Sequence, residues 1–336
     1  MNLKLTTIAG CLLLAGNAAA TGNDLAARIA QQDGWSSWRV PMVAGAGMPC
    51  CFDWHHRHGE NVCDLESRNW SIGTNDDDPR PVTSGDLDVY VHVSRGRIDK
   101  VRSYSSACTI ANADKVRRLD AVAPADSVAF LAGAVRTADH EVADGELAAL
   151  ALHADPSATA ALTRLSDASS PRKLREQSLF WLAEARGAEG AKIVERVATT
   201  DADADMREKA VFDLSQAHDY DGYATIHRIA QTDASAQVRG QALFWMAQMN
   251  DARAKDDILA ALEKDPSSEV REQAVFALSQ LKDNAGEAAL MAIVRGNYPR
   301  SVKEKALFWL GESGSQQAID FLDELLTRSR PKTTAR

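Results

Sequence analysis

The chain is 336 residues long, 45% hydrophobic and 25% charged, with a formal net charge of −9. That length predicts two units, and the composition is that of a soluble globular protein. The acidic balance, with no run of Lys or Arg, argues against nucleic acid and anionic membrane as partners, because both require a basic surface.

Residues 1–20 read as an export signal. Met1-Asn2-Leu3-Lys4 is a short basic start, Leu5 to Gly16 is apolar, and Ala18-Ala19-Ala20 supplies the small residues of a cleavage site. The alternative is a lipoprotein anchored through Cys11, since Ile8-Ala9-Gly10-Cys11 fits the lipid-attachment pattern. Against it, Cys11 comes early, and more apolar residues and the small-residue site follow it. No later stretch is long enough to span a bilayer. The mature chain is therefore expected to be periplasmic or secreted, without membrane insertion.

Residues 21–120 predict a small α+β module. Asn23 to Gln32 suits a short helix, followed by an aromatic, turn-rich stretch with Trp35, Trp38, Trp54 and Trp70. Leu87, Val89, Val91 and Val93 alternate with Asp88, Tyr90 and His92, the period of a half-buried strand. Arg95-Gly96 then predicts a tight turn, and Ile98 to Ser105 a returning strand. Without Cys11 the chain keeps Cys50, Cys51, Cys63 and Cys108, an even count that predicts disulfides in an exported protein. Side chains of adjacent cysteines diverge, so Cys63 and Cys108 are each expected to bond to one of Cys50 and Cys51, in either order. His55, His56 and His58 lie in the same segment and are weak metal candidates. Oxidation would remove the neighbouring thiolates, so the expectation is a stapled loop with no metal and no cofactor.

Residues 121–330 carry a repeat. Glu-Gln-Ser-Leu-Phe-Trp-Leu at Glu176 returns in related form at Glu208, Gly240, Glu272 and Glu304, each 32 residues after the last. Val142, Leu174, Met206, Val238, Val270 and Val302 keep the same interval, as do Leu162, Val194, Ile226, Ile258, Leu290 and Leu322. A fixed period of this size means stacked copies of one supersecondary unit. Ile258, Ala261 and Leu262, then Val270, Ala274, Val275, Leu278 and Leu281, give two amphipathic helices per unit, broken at Asp265-Pro266-Ser267. The prediction is a mostly α protein: an α-solenoid of about six 32-residue helix pairs, behind a disulfide-containing α+β module.

Two further rows share the period. Asp201, Asp233, Asp265 and Asn297 each precede a cation by six residues: Arg207, Arg239, Arg271 and Lys303. Acid and base recur together, which predicts a structural ladder between units. The residue after the recurring Phe is Trp181, Asp213, Trp245, Ala277 and Trp309, so Trp marks every second unit. Neighbouring helix positions point about 100° apart, so Phe and Trp cannot share one core direction. With Phe in the core, Trp181, Trp245 and Trp309 would face a partner, flanked by the polar stripe Glu184, Gln216, Gln248, Gln280 and Glu312. The opposing expectation is that these Trp rings complete the core.

The period of 32, the Asp-x5-Arg pattern and the paired-helix unit resemble HEAT repeats of the phycobilisome-lyase-like type. The whole layout, from export signal through Cys-containing module to Phe-Trp units, also resembles exported bacterial HEAT-repeat proteins. The resemblance implies the fold and carries no particular activity with it. HEAT-type deoxyhypusine hydroxylases hold a di-iron centre on several His-Glu pairs, whereas this chain has one, His140-Glu141. The expected function is a non-enzymatic scaffold that binds another protein on the solenoid surface. The alternative is an enzyme or metal-handling protein, bilin-lyase-like by repeat type or centred on the histidine cluster.

Overall fold

The computed structural model describes residues 22–44, 62–66, 85–135, 140–217, 220–282 and 285–329. Cys50, Cys51, His55, His56 and His58, with residues 1–20 and the Cys11 among them, lie outside the described residues.

The first part holds a helix, α1 (Gly22–Ile29), and strands β1 (Gly34–Pro41), β2 (Val62–Cys63), β3 (Asp86–Ser94), β4 (Arg97–Ser105), β5 (Thr109–Ile110) and β6 (Arg117–Arg118). Four of them form one sheet in the order β4-β3-β1-β6, and β2 pairs with β5. The expected hairpin is β3 and β4, closed by Arg95 and Gly96, both at positive φ. The stretch from Trp35 to Trp38, expected to be turn-rich, is instead the inner strand β1. Its polar–apolar alternation is missing because both faces are covered: Trp35, Ser36, Ser37 and Trp38 are all buried. Trp38 faces the helices, where its indole N–H donates to Ser127 Oγ at 2.8 Å and its ring meets Phe130 edge-on. Trp35 faces the other way, into a small cluster with Cys63, Leu65, Tyr90 and Tyr104.

The helical part runs α2 (Pro124–Val135), α3 (His140–Leu152), α4 (Ser157–Leu165), α5 (Arg172–Ala185), α6 (Gly187–Thr200), α7 (Ala204–Ser215) and α8 (Tyr223–Thr232). It continues with α9 (Ala236–Gln248), α10 (Ala254–Lys264), α11 (Ser268–Ser279), α12 (Ala285–Arg295), α13 (Arg300–Ser313) and α14 (Gln316–Ser329). The periodic apolar rows form its core. Met206, Val238, Val270 and Val302 are at most 1% exposed, as are Val194, Ile226, Ile258 and Leu290. From α5 onward the odd-numbered helices pack closely on one another, while α8, α10, α12 and α14 touch one another only sparsely. The stack therefore bends with the odd-numbered row on its inner side.

Where each even-numbered helix begins, it crosses the last turn of the helix before it. A Cβ built on Gly190 or Gly286 would stand 1.9 or 2.0 Å from the carbonyl oxygen of Leu182 or Leu278. The same register holds Ala254 and Ala318, both fully buried, so the crossing admits only small residues.

One hydrophobic core runs from Leu25 through the sheet face of Trp38, Val40, Val89, Val91 and Val101 to Phe321. Strand β4 lies against α3 at Gly145, where a Cβ would sit 2.3 Å from the Val101 carbonyl oxygen. The end of β1 joins the loop after α3 through Val43 N–H to Leu152 O and Ala154 N–H to Pro41 O. The sheet thus covers the first end of the helical stack with its own apolar face.

Candidate binding face

The Asp and Arg rows come together at the connections between units. Asp233 ends α8, and its carboxylate accepts the Ser235 N–H at 2.8 Å, turning the chain into α9. Asp265 and Ser267 repeat this before α11, and Asp201 and Asp203 before α7. Arg207, one unit earlier, grips the Asp233 carboxylate with two N–H groups at 2.7 and 2.8 Å and returns a third to the Asp201 carbonyl at 2.9 Å. Arg239 does the same to Asp265, at 2.7 and 3.0 Å, and to the Asp233 carbonyl. Arg175 pairs with Asp201. A spacing of six residues thus lets one guanidinium close its own turn and reach the next. Burial pushes the Asp233 and Asp265 carboxyls up, but the Arg forks and the Ser amides outweigh it and hold both below the usual carboxylate range. At the last connection Asn297 supplies no charge, and Arg271 bonds only the Asp265 and Pro266 carbonyls among the described residues. Lys303 stands half-buried in α13.

The aromatic row lies on the inner helices, in an order that differs from the expectation. The core direction belongs to Leu179, Val211, Leu243 and Val275, each at most 1% exposed. The Phe residues are the outer ones: Phe180, Phe212, Phe244 and Phe276 are half-buried, and Phe308 is 55% exposed. Trp181 is buried, whereas Trp245 and Trp309 are half-buried. Each of the latter reaches back over the preceding unit's Phe: Trp245 to Phe212 at 4.7 Å and Trp309 to Phe276 at 4.8 Å between ring centres. Each also meets its own Phe edge-on, at 4.8 and 5.0 Å, and Phe244 stacks on Phe276 at 5.5 Å. One Trp therefore serves two units, and the unit between carries a smaller residue, Asp213 or Ala277, with no exposed surface. Trp181 has Ala148 where the others find a Phe, and it sinks into the core instead. Such ring pairs contribute about 0.5–1.5 kcal/mol each beyond burial.

Glu184, Gln216, Gln248, Gln280 and Glu312 each follow a Phe by four residues, one turn further on the same face. Gln216, Gln248 and Glu312 are exposed, and Glu184 and Gln280 half-buried. At the last two units Gln280, Trp309 and Glu312 line a cleft of about 340 Å³ with Glu287, Ser279 and Ser313.

The sequence reading missed a cation in the row. Lys209 lies over the Phe212 and Phe180 rings, 4.3 and 5.8 Å from their centres, and its ammonium meets Asp213 at 2.5 Å. Burial drives the Asp213 carboxyl up to about 7 against the pull of Lys209, and its Oδ2 has no hydrogen-bond partner among the described residues. The signal was present: an Asp in the Trp register with a Lys one turn before it.

Among the described residues no three His, Cys, Asp or Glu side chains are grouped to hold a metal ion. No described helix is long and apolar enough to cross a membrane.

Residues 191–279 and 223–307 match the model for HEAT repeats, and residues 302–328 match the PBS lyase HEAT-like repeat. Residues 191–328 are thus HEAT repeats. Among solved structures the chain is similar to YibA of Escherichia coli, at 16% identity over 61% of this chain and 77% of that one, with a TM-score of 0.36. It is similar to human deoxyhypusine hydroxylase in complex with glycerol, at 15% identity, 61% and 86% coverage and a TM-score of 0.27. The complex of CpcE and CpcF of phycocyanin lyase from Nostoc sp. PCC7120 gives 16% identity, 60% and 80% coverage and a TM-score of 0.30. No curated protein matches the chain.

Proposed function

We propose that this HEAT-repeat protein is an exported, non-enzymatic scaffold that binds another protein along the inner helix row. The observation that supports it is the aromatic row from Phe212 to Phe308, which is packed within itself yet leaves ring surface uncovered at every unit. Rings already locked by their neighbours lose little entropy on contact, which is what an anchor for a partner requires. The polar stripe from Gln216 to Glu312 supplies donors and acceptors beside them.

The reading places the mature protein in the periplasm or outside the cell. An N-terminus beginning at Thr21, found by mass spectrometry of the purified protein, supports this; a diacylglyceryl Cys11 redirects it to a membrane anchor. The reading keeps Cys63 and Cys108 each bonded to one of Cys50 and Cys51, in either order, which peptide mapping without reduction tests.

The functional test uses Trp245→Ala and Trp309→Ala together. Trp181 is left in place because it is buried and its truncation opens the core. The reading expects the double variant to keep its helical circular dichroism and lose its partner. Loss of helical signal instead assigns the row to core packing.

A further inference from the structure

We infer that the seam between the sheet and the helical stack is an acid-sensitive latch, closed by the neutral imidazole of His153 and released when that ring takes up a proton. It involves no residue of the aromatic row and does not depend on the scaffold reading above.

The seam is short and made of main chain. Val43 N–H donates to Leu152 O at 2.8 Å, Ala154 N–H donates to Pro41 O at 2.9 Å, and Met42 and His153 stand opposite each other between them. These contacts tie the end of β1 to the turn after α3. His153 has no exposed surface. Its Nδ1 accepts the Asp155 N–H at 3.4 Å, so the neutral ring carries its hydrogen on Nε2, which finds no acceptor among the described residues. A proton can enter only at Nδ1, where it faces the Asp155 N–H and turns an acceptor into a second donor. Two charged groups act on the ring, Arg186 and Asp155. Arg186 Nη1 donates to His153 O at 2.7 Å and to Ala151 O at 3.0 Å, and its Nε donates to Thr159 Oγ1 at 2.9 Å. A second cation would therefore enter a closed site that already holds one. Asp155 pulls the other way, but its carboxylate is taken by the Ser157 N–H and hydroxyl at 2.9 and 2.5 Å. Among the described residues no further charge from α3, α4 or β1 acts on the ring. Burial outweighs Asp155 and, with Arg186 beside it, pushes the imidazole from 6.5 down to about 4. A ring held neutral in the closed seam and free in the open one contributes fully above 6.5, and that contribution is lost as pH falls from 6.5 towards 4.

The test is amide hydrogen exchange of the full chain at about pH 6.5 and about pH 4.5, corrected for the intrinsic rate. At the lower pH the ladder carboxylates of Asp233 and Asp265 are still charged, because both are held below 3.8. Protection of the Val43 and Ala154 amides should fall about thirtyfold, while buried Val91 in β3 and Ile258 in α10 keep theirs. In His153→Leu no ring titrates, and the two seam amides should be equally protected at both pH values. An equal fall in that variant overturns the proposal. So does an equal fall at Val91 or Ile258, which is general acid unfolding. If His153→Leu does not fold, the wild-type ring decides. Nuclear magnetic resonance of its Cε1–H should give a midpoint below about 5, with the Val43 and Ala154 amides shifting over the same range. A midpoint near 6.5 overturns the proposal, and so does a titration that leaves both seam amides unmoved.

Discussion

The connections and the inner face of the solenoid repeat with the same period and end in opposite states. At the connections every cation of the regular ladder finds its carboxylate, Arg175 with Asp201, Arg207 with Asp233 and Arg239 with Asp265. On the inner face the rings stack on one another and still present surface. A periodic row whose chemistry closes on itself holds the stack together. A periodic row left open is available to a partner.

The largest effect is expected where the closed row is broken. Arg207→Ala strips both bonds from an Asp233 side chain that is 7% exposed and leaves a nearly buried charge unpaired. The loss should be about 3 kcal/mol, read from chemical denaturation of the helical signal. Arg271→Ala removes only carbonyl contacts and should cost about 1 kcal/mol. Equal losses would undo the distinction between the regular ladder and its last rung.

Next comes the crossing of the two helix rows. Gly286→Val drives a branched side chain into the Leu278 carbonyl and should destabilise by about 2 kcal/mol in the same measurement.

Two kinds of Asp then give opposite pH dependence. Asp233 and Asp265 are held below the usual range, so their contribution is present above the unfolded value of 3.8 and is lost as pH falls through the folded one. Asp213 is raised to about 7, so its contribution is full below 3.8 and is lost as pH rises through 7. Asp213→Asn should therefore gain on the order of 1 kcal/mol over the wild type at pH 8, shrinking towards pH 5. A gain that is flat with pH would mean that Asp213 is not the group responsible.

Most of the helical part was legible because a period of 32 repeats one set of constraints. Burial at Met206, Val238 and Val270 follows from register alone. What the sequence hid was direction. Phe and Trp are adjacent and equally apolar, and which of them points outward depends on what the preceding unit offers, such as Phe212 under Trp245 or Ala148 under Trp181. The strand β1 was hidden for a related reason. Alternation marks a strand with one wet face, and this one lies between the helices and a second cluster, so Ser36 and Ser37 are as buried as Trp38. The small-residue row at Gly190 and Gly286 was visible as a period and is explained only by the carbonyl it meets.

The central claim is that the open row on the inner helices is the binding face. The direct measurement is cross-linking and co-purification from cells producing the protein, with the wild type and the folded Trp245→Ala/Trp309→Ala variant side by side. The account predicts one species held by the wild type and lost by the variant. The same species held equally by both would contradict it and move the site off the aromatic row.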